Sequence, residues 1–351
     1  MTRRRFVFVF CAAASASVAC SFVQSLDYLQ NGPPLDDGGD VATPDGGADG
    51  SLVPTEIAVG QQRFPDLLAQ DDANLYWVNR GSAEIMSAPK PGGDARTVAG
   101  NIGTSVTILV ADPGAGGSLF WVADGVVRKV AKAAGPDVTT IVSVDGGAVN
   151  SIAVDRDSLF AATSTVSGVP PGTVTRMTKD GTSPQILDQQ DEPVAIAVDD
   201  LGVVWVESGG ATRSTSKTGG AVTTFGKPDE DLLAPDPPSA FLLDDTTVYS
   251  GEGFDIWSMP RRPGGTAASL FAPPGDNPKV RGIALDGATM WYVDAASGTV
   301  GRFPKNGLGA GEIVAIQQRG ASSVVVDGTY VYFTVQATAS DPEGAVVRLR
   351  K

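Results

Sequence analysis

An all-β fold, a seven-bladed β-propeller of four-stranded antiparallel blades, is predicted by three observations. A phrase of 41 to 45 residues recurs seven times along the chain. Each copy divides into four short runs rich in β-branched and aromatic residues, the composition of strands. The last copy lacks its fourth run, and a matching run stands near the N-terminus. Repeats of this period mark propellers and solenoids, and four strands per repeat is the make-up of a propeller blade.

Two marks frame each copy. The first is an Asp at the end of the opening apolar run: Asp71, Asp112, Asp155, Asp199, Asp244, Asp286 and Asp327. Shortly after it comes an apolar-aromatic pair: Leu75-Tyr76, Leu119-Phe120, Leu159-Phe160, Val204-Trp205, Val248-Tyr249, Met290-Trp291 and Val331-Tyr332. The second mark is a β-branched residue followed five positions on by a cation, from Ile85 and Lys90 in the first copy to Val346 and Lys351 in the last. In the third copy the four strands are expected at Ser151 to Val154, Ser158 to Thr163, Thr173 to Thr178 and Gln185 to Leu187. Lys179-Asp180-Gly181 and Lys305-Asn306-Gly307 supply the positive φ of tight hairpin turns between third and fourth strands. The segment Val126 to Ala134 has helical propensity but fills a third-strand slot, so a strand is expected there.

The chain stops at Lys351 without a fourth strand for the seventh copy. Thr55 to Arg63 reads like Gly311 to Arg319, the fourth strand of copy six and its lead into copy seven. Glu56 to Gln62 is therefore expected to complete the last blade from the other end of the chain. An unclosed ring would leave an unpaired strand edge. The expected organisation is a signal segment over 1–19, a tether over 20–54 and the propeller over 55–351.

Arg3-Arg4-Arg5 precede the apolar stretch Phe6 to Val18, too short to span a bilayer as a helix and typical of a secretory signal. It ends Ser17-Val18-Ala19-Cys20, which resembles the bacterial lipoprotein signal, where the Cys becomes the acylated first residue. The resemblance implies lipidation at Cys20, an exported chain, and a membrane link through that lipid alone. Ser21 after the Cys points to the outer membrane. The stretch Asn31 to Ser51, nearly all Gly, Asp, Pro and Ala, cannot bury enough apolar surface to fold.

Loss of the three arginines with the signal takes the net charge from −14 to −17. Such a chain repels nucleic acid and anionic headgroups. It contains no histidine, and only Cys11 and Cys20 as cysteines. This removes Ser-His-Asp and Cys-His catalysis and His-ligated metal. Neither a metal nor a cofactor is expected.

The Asp marks are read as structural, accepting from backbone N–H groups two residues on. The pair aromatics are read as core between blades. Lys129, Arg176, Arg302 and Arg348, on third strands, are read as solvated. Propellers bind over the central channel, on the face built by the second-to-third and fourth-to-first connections. There Glu207, Glu252 and Asp294 occupy like positions in copies four, five and six. They are the candidate ligand face, an arc of carboxylates suited to Ca²⁺ or a cationic group. Arg63 and Arg319 lie on the same face. Three inserted loops, 164–172, 228–238 and 336–344, are further candidate contact surfaces.

Leu75-Tyr76-Trp77-Val78-Asn79, echoed by Phe120-Trp121-Val122 and Trp291-Tyr292-Val293-Asp294, resembles the Tyr-Trp-Thr-Asp repeat of low-density-lipoprotein-receptor-type propellers, with Val where that family has Thr. The whole chain is similar to exported bacterial lipoprotein propellers, including that of the Tol-system periplasmic protein. The resemblance implies a non-catalytic binding scaffold; the expected partner is an envelope protein or glycan, and the expected state a monomer. Two alternatives stand beside it: an envelope glycosidase or lyase using channel carboxylates, and a structural part of an envelope complex.

Overall fold

Seven sheets of four strands make up the described residues; neighbouring strands run antiparallel and, in six of the seven sheets, follow one another in sequence. The computed structural model describes residues 53–58, 62–113, 116–133, 137–144, 147–165, 172–189, 192–226, 238–275, 277–336 and 343–351. Among them there is no helix. The expected signal, Cys20 and the tether up to residue 52 lie outside the described residues, as do most of the three inserted loops.

Blade one runs Pro65–Gln70, Asn74–Asn79, Glu84–Pro89 and Arg96–Gly100 from the inside outwards. Blade seven takes Ala321–Val326, Tyr330–Val335 and Ala345–Arg350 from the C-terminal end of the chain and its outer strand, Thr55–Ala58, from the N-terminal end. Thr55 lies opposite Arg348, and Ala58 opposite Val346. The ring is thus closed by strand exchange between its termini. The strands of blade three run somewhat beyond their expected bounds, with the inner one starting at Gly147, the second reaching Thr165 and the outer one Gln189. Val126–Ala131 is a strand; Val127 and Val130 are buried in it, so packing outweighs helical propensity there.

Second strands carry the core. Each lies between two neighbouring blades and is covered on both faces, so it reads as a continuous apolar run rather than an alternating one. Val203–Glu207 is buried at every position. All seven pair aromatics, Tyr76, Phe120, Phe160, Trp205, Tyr249, Trp291 and Tyr332, are buried. They pack across seams: Phe160 of blade three meets Ile196 and Trp205 of blade four in one cluster. Third-strand cations lie over these rings from the outside, Lys129 at 5.8 Å from the Phe120 centroid and Arg302 at 5.3 Å from that of Trp291, with their charged ends towards water. At the Asp180-Gly181 turn, Gly181 has φ +76°, and a Cβ there would stand 2.2 Å from the carbonyl oxygen of Ile141 in blade two. The turn needs glycine both for its backbone and for its contact with the preceding blade.

The two marks of the repeat meet each other across the seams. Lys132 of blade two reaches Asp71 of blade one at 2.8 Å, Lys179 reaches Asp112 at 2.6 Å, and Lys217 reaches Asp155 at 3.1 Å. Arg261 pairs with Asp199, Lys305 with Asp244 at 2.8 Å, and Lys351 with Asp286 at 2.6 Å. Lys90 of blade one closes the circuit on Asp327 of blade seven at 3.5 Å. Seven ion pairs therefore girdle one face, each tying a blade to the next. The Asp residues also cap their own turns as expected: Asp71 accepts from the N–H groups of Ala73 and Asn74, and Asp327 from those of Thr329 and Tyr330. In three blades the pair tyrosine adds its hydroxyl to the same carboxylate.

These bonds set the acid stability of the ring. Burial alone would raise the pKa of Asp71, but hydrogen bonds from Lys132, the two N–H groups and Tyr76 outweigh it and hold the carboxyl at about 2. Asp155, Asp199, Asp244 and Asp327 are lowered in the same way, burial being opposed by turn N–H groups and the next blade's cation. A carboxyl with a lower pKa folded than unfolded contributes stability above its unfolded value, near 4, and loses it as pH falls through the folded value. The melting temperature is expected to hold from pH 7 to about 5 and to drop steeply between about pH 4 and 2. A titration with no drop in that window would show that the girdle contributes nothing.

Candidate functional site

The inner strands line the axis of the ring, and most carry one residue more than the second strand beside them. In blade two Val106 faces Ala123 and Ile108 faces Val122, leaving Thr107 as the extra residue. The same count singles out Asn150 in blade three, Val194 in blade four and Arg281 in blade six. In blades one and seven the irregularity falls at Leu67-Leu68 and at Ser322-Ser323. Blade five has none. Such a bulge bends the strand and redirects a side chain.

Leu67, Thr107, Asn150, Val194 and Ser323 all line a cavity of about 850 Å³ on the axis. Its wall is mainly Leu, Ile and Val from inner strands, with Phe241 as its aromatic residue. Ser105, Glu192, Ser208 and Ser239 stand at its mouth, on the face of the fourth-to-first connections and opposite the girdle. The volume lies in the range of small-molecule sites.

Most polar groups in the wall are already engaged. Asn150 donates to the carbonyl of Pro193 at 2.8 Å and accepts from Ser164. Ser151 accepts from the N–H of Ile196, and Ser323 from that of Leu68. Both bonds join an inner strand to the next blade. Ser239 donates to the carbonyls of Gly251 and Val280. Among the described residues Glu192, which is exposed, is the one titratable side chain in the lining.

Two of the three carboxylates singled out in the sequence, Glu207 and Asp294, sit elsewhere. Glu207 ends the second strand of blade four, is buried, and pairs with Arg213 on the neighbouring strand at 2.8 Å. Asp294 ends the second strand of blade six and is fully buried. It accepts from the N–H groups of Lys279 at 2.6 Å and Ala296 at 2.9 Å and from the Ser297 hydroxyl. Neither lines the cavity. Glu252 ends the second strand of blade five, and its side chain lies outside what the structure describes. Among the described residues no group of three or more acidic or sulfur ligands is placed to hold a metal.

Sequence reasoning missed the bulge positions. Their one signal is strand length, since an inner run longer by one residue than its partner must place a side chain out of alternation.

Comparison with known proteins adds the fold and no more. No protein-family model matches the chain, and no curated protein matches it in sequence. A streptogramin B lyase is 13% identical, with 85% of this chain and 98% of that one aligned at a TM-score of 0.63. A catalytically inactive histidine-to-alanine variant of virginiamycin B lyase from Staphylococcus aureus, solved with quinupristin, is 15% identical over 86% of this chain and 100% of its own, at a TM-score of 0.65. A computationally designed protein is 14% identical over 84% and 99%, at 0.55. The likeness is one of fold alone. The propeller ring is common to a lyase and to a designed scaffold, and function must be argued from this chain's own residues.

Proposed function

We propose that the chain is a non-catalytic binding protein of the cell envelope, exported, held at the membrane by acylation of Cys20, and taking its ligand at the mouth of the axial channel. The observation that carries this reading is the wall of the cavity. It combines size and apolar surface with a single titratable group among the described residues. General acid–base hydrolysis of a glycoside needs two carboxyls facing one bond. Here Glu207 and Asp294 are buried in bonds of their own.

The related folds weigh the same way. The virginiamycin B lyase variant is inactive with one histidine replaced by alanine, and this chain has no histidine at all. The channel favours a ligand that sends a part into the axis over one that lies along the rim.

A photo-crosslinking side chain placed at Thr107, in the channel wall, tests the reading in cells. Adducts are expected from Thr107 and not from the exposed Ile186 on the outer edge of blade three. They are expected in the membrane fraction, and in the soluble fraction once Cys20→Ser is introduced. Adducts from Ile186 alone would overturn channel binding, and an unchanged membrane fraction with Cys20→Ser would overturn the anchor.

A further inference from the structure

We infer that the channel mouth is a site for an amphiphilic anion, with the apolar body in the axial cavity and the anionic head on a cationic arc made by blades six, seven and one. The inference rests on the channel being the binding site and adds the class of ligand.

Arg281 is the first observation. It is the extra residue of the blade-six inner strand, as Thr107, Asn150 and Val194 are in blades two, three and four; those three line the cavity, whereas Arg281 stands outside its lining, on the face where the cavity opens. Those residues are neutral; Arg281 alone brings a charge to that register position. It is exposed, and its guanidinium makes no ion pair or hydrogen bond with a described residue. An unengaged guanidinium on the face where an apolar cavity opens is suited to bidentate capture of a carboxylate or phosphate.

Three further cations stand on the same face. Lys279 and Arg319 flank one turn of blade six. Ala295 donates to the carbonyl of Lys279 at 3.0 Å, and Gln318, next to Arg319, donates its N–H to the carbonyl of Gly298 at 2.8 Å. Arg63 holds the equivalent place at the seam into blade one, its carbonyl accepting from the Gly81 N–H at 2.9 Å. All three are exposed, and none of their side chains bonds to a described residue. Nearby Arg80 behaves differently: it is spent on Asp66 at 2.6 Å and on the Val106 carbonyl. The net charge is −14, and most described cations are tied to carboxylates. Four unengaged cations within three consecutive blades thus form a positive sector. The acidic group of the lining, Glu192, belongs to blade four, away from that sector. The mouth is electrostatically two-sided, and an anionic head is drawn to the side of Arg281.

Calorimetric titration of the full chain carrying Cys20→Ser, so that no acyl group competes, tests this with dodecanoate, dodecyl phosphate, dodecanol and inorganic phosphate, each below its micelle concentration. Both amphiphilic anions are expected to bind at least about tenfold tighter than dodecanol and than inorganic phosphate. Arg281→Ala is expected to weaken the anions about tenfold and dodecanol hardly at all. Arg281→Lys should recover part of the loss, and Arg63→Ala with Arg319→Ala should steepen it at low salt. Because these side chains are exposed, the variants should melt as the parent does. Equal binding of dodecanol and dodecanoate, or anion binding indifferent to Arg281→Ala, would overturn the head-group assignment while leaving channel binding standing. No binding by any of the four probes, with Thr107 still giving adducts in cells, would overturn the ligand class.

Discussion

Replacing Lys132 with alanine is expected to destabilise the ring by about 3–5 kcal/mol, the cost of leaving a buried charge without its partner. Lys132 is the most enclosed cation of the girdle: its side chain is 2% exposed and that of Asp71 is 0%. It also donates to the Asp112 carbonyl and lies 5.6 Å from the centroid of Tyr76. The substitution removes the cation and strands a carboxylate that burial disfavours. Lys217→Ala is the control. That lysine is 28% exposed and its pair spans 3.1 Å, so its loss should cost under about 1 kcal/mol. The double change Asp71→Asn with Lys132→Met should recover most of the stability, because no charge is left buried. Urea unfolding of the four proteins decides the matter. Equal losses for Lys132→Ala and Lys217→Ala would show that burial does not grade these pairs.

Truncation through residue 58 is expected to have the second large effect. It removes the outer strand of blade seven and uncovers the edge of Ala345–Arg350, which pairs with it. Ala58, buried in the cluster with Tyr332 and Val346, is lost as well. The melting temperature should fall on the order of 10 °C or more, and the exposed edge should make the protein associate as its concentration rises. Truncation through residue 52 spares that strand and should melt like the full chain. If both truncations melted alike, the closing strand would be dispensable.

The sequence was more informative about the ring than about the site. Blades, turns and closure are written in local patterns: an Asp-Gly turn, a buried pair such as Leu75-Tyr76, a run repeated at both ends. Each pattern is written within a few neighbouring positions of the chain, even where, as for Leu75 and Tyr76, its contacts reach into the next blades. The girdle was half legible. Both marks were visible in every copy, but Lys132 bonds to an Asp 61 residues away, and no local rule says which of seven identical partners a cation chooses.

The site was less legible still. Glu207 and Asp294 were chosen because loops on that face carry function in propellers. Yet the ends of second strands turn towards Arg213 and towards the Lys279 and Ala296 N–H groups rather than the axis. What reaches the axis is set by one-residue bulges, and a bulge shifts every later side chain to the other face. Arg281 therefore went unremarked beside Arg319, although only the former sits on an inner strand.

The seam between the first and last residues of the ring has one more consequence. Thr55 enters beside Arg348, and Lys351 ends in its bond to Asp286. In the other blades a hairpin turn joins the corresponding two strands, so both termini of the ring emerge together on the girdle side. A tag, a fusion partner or a surface attached at either terminus is therefore joined at the back of the molecule, and such attachments should leave ligand access to the opening at the front unhindered.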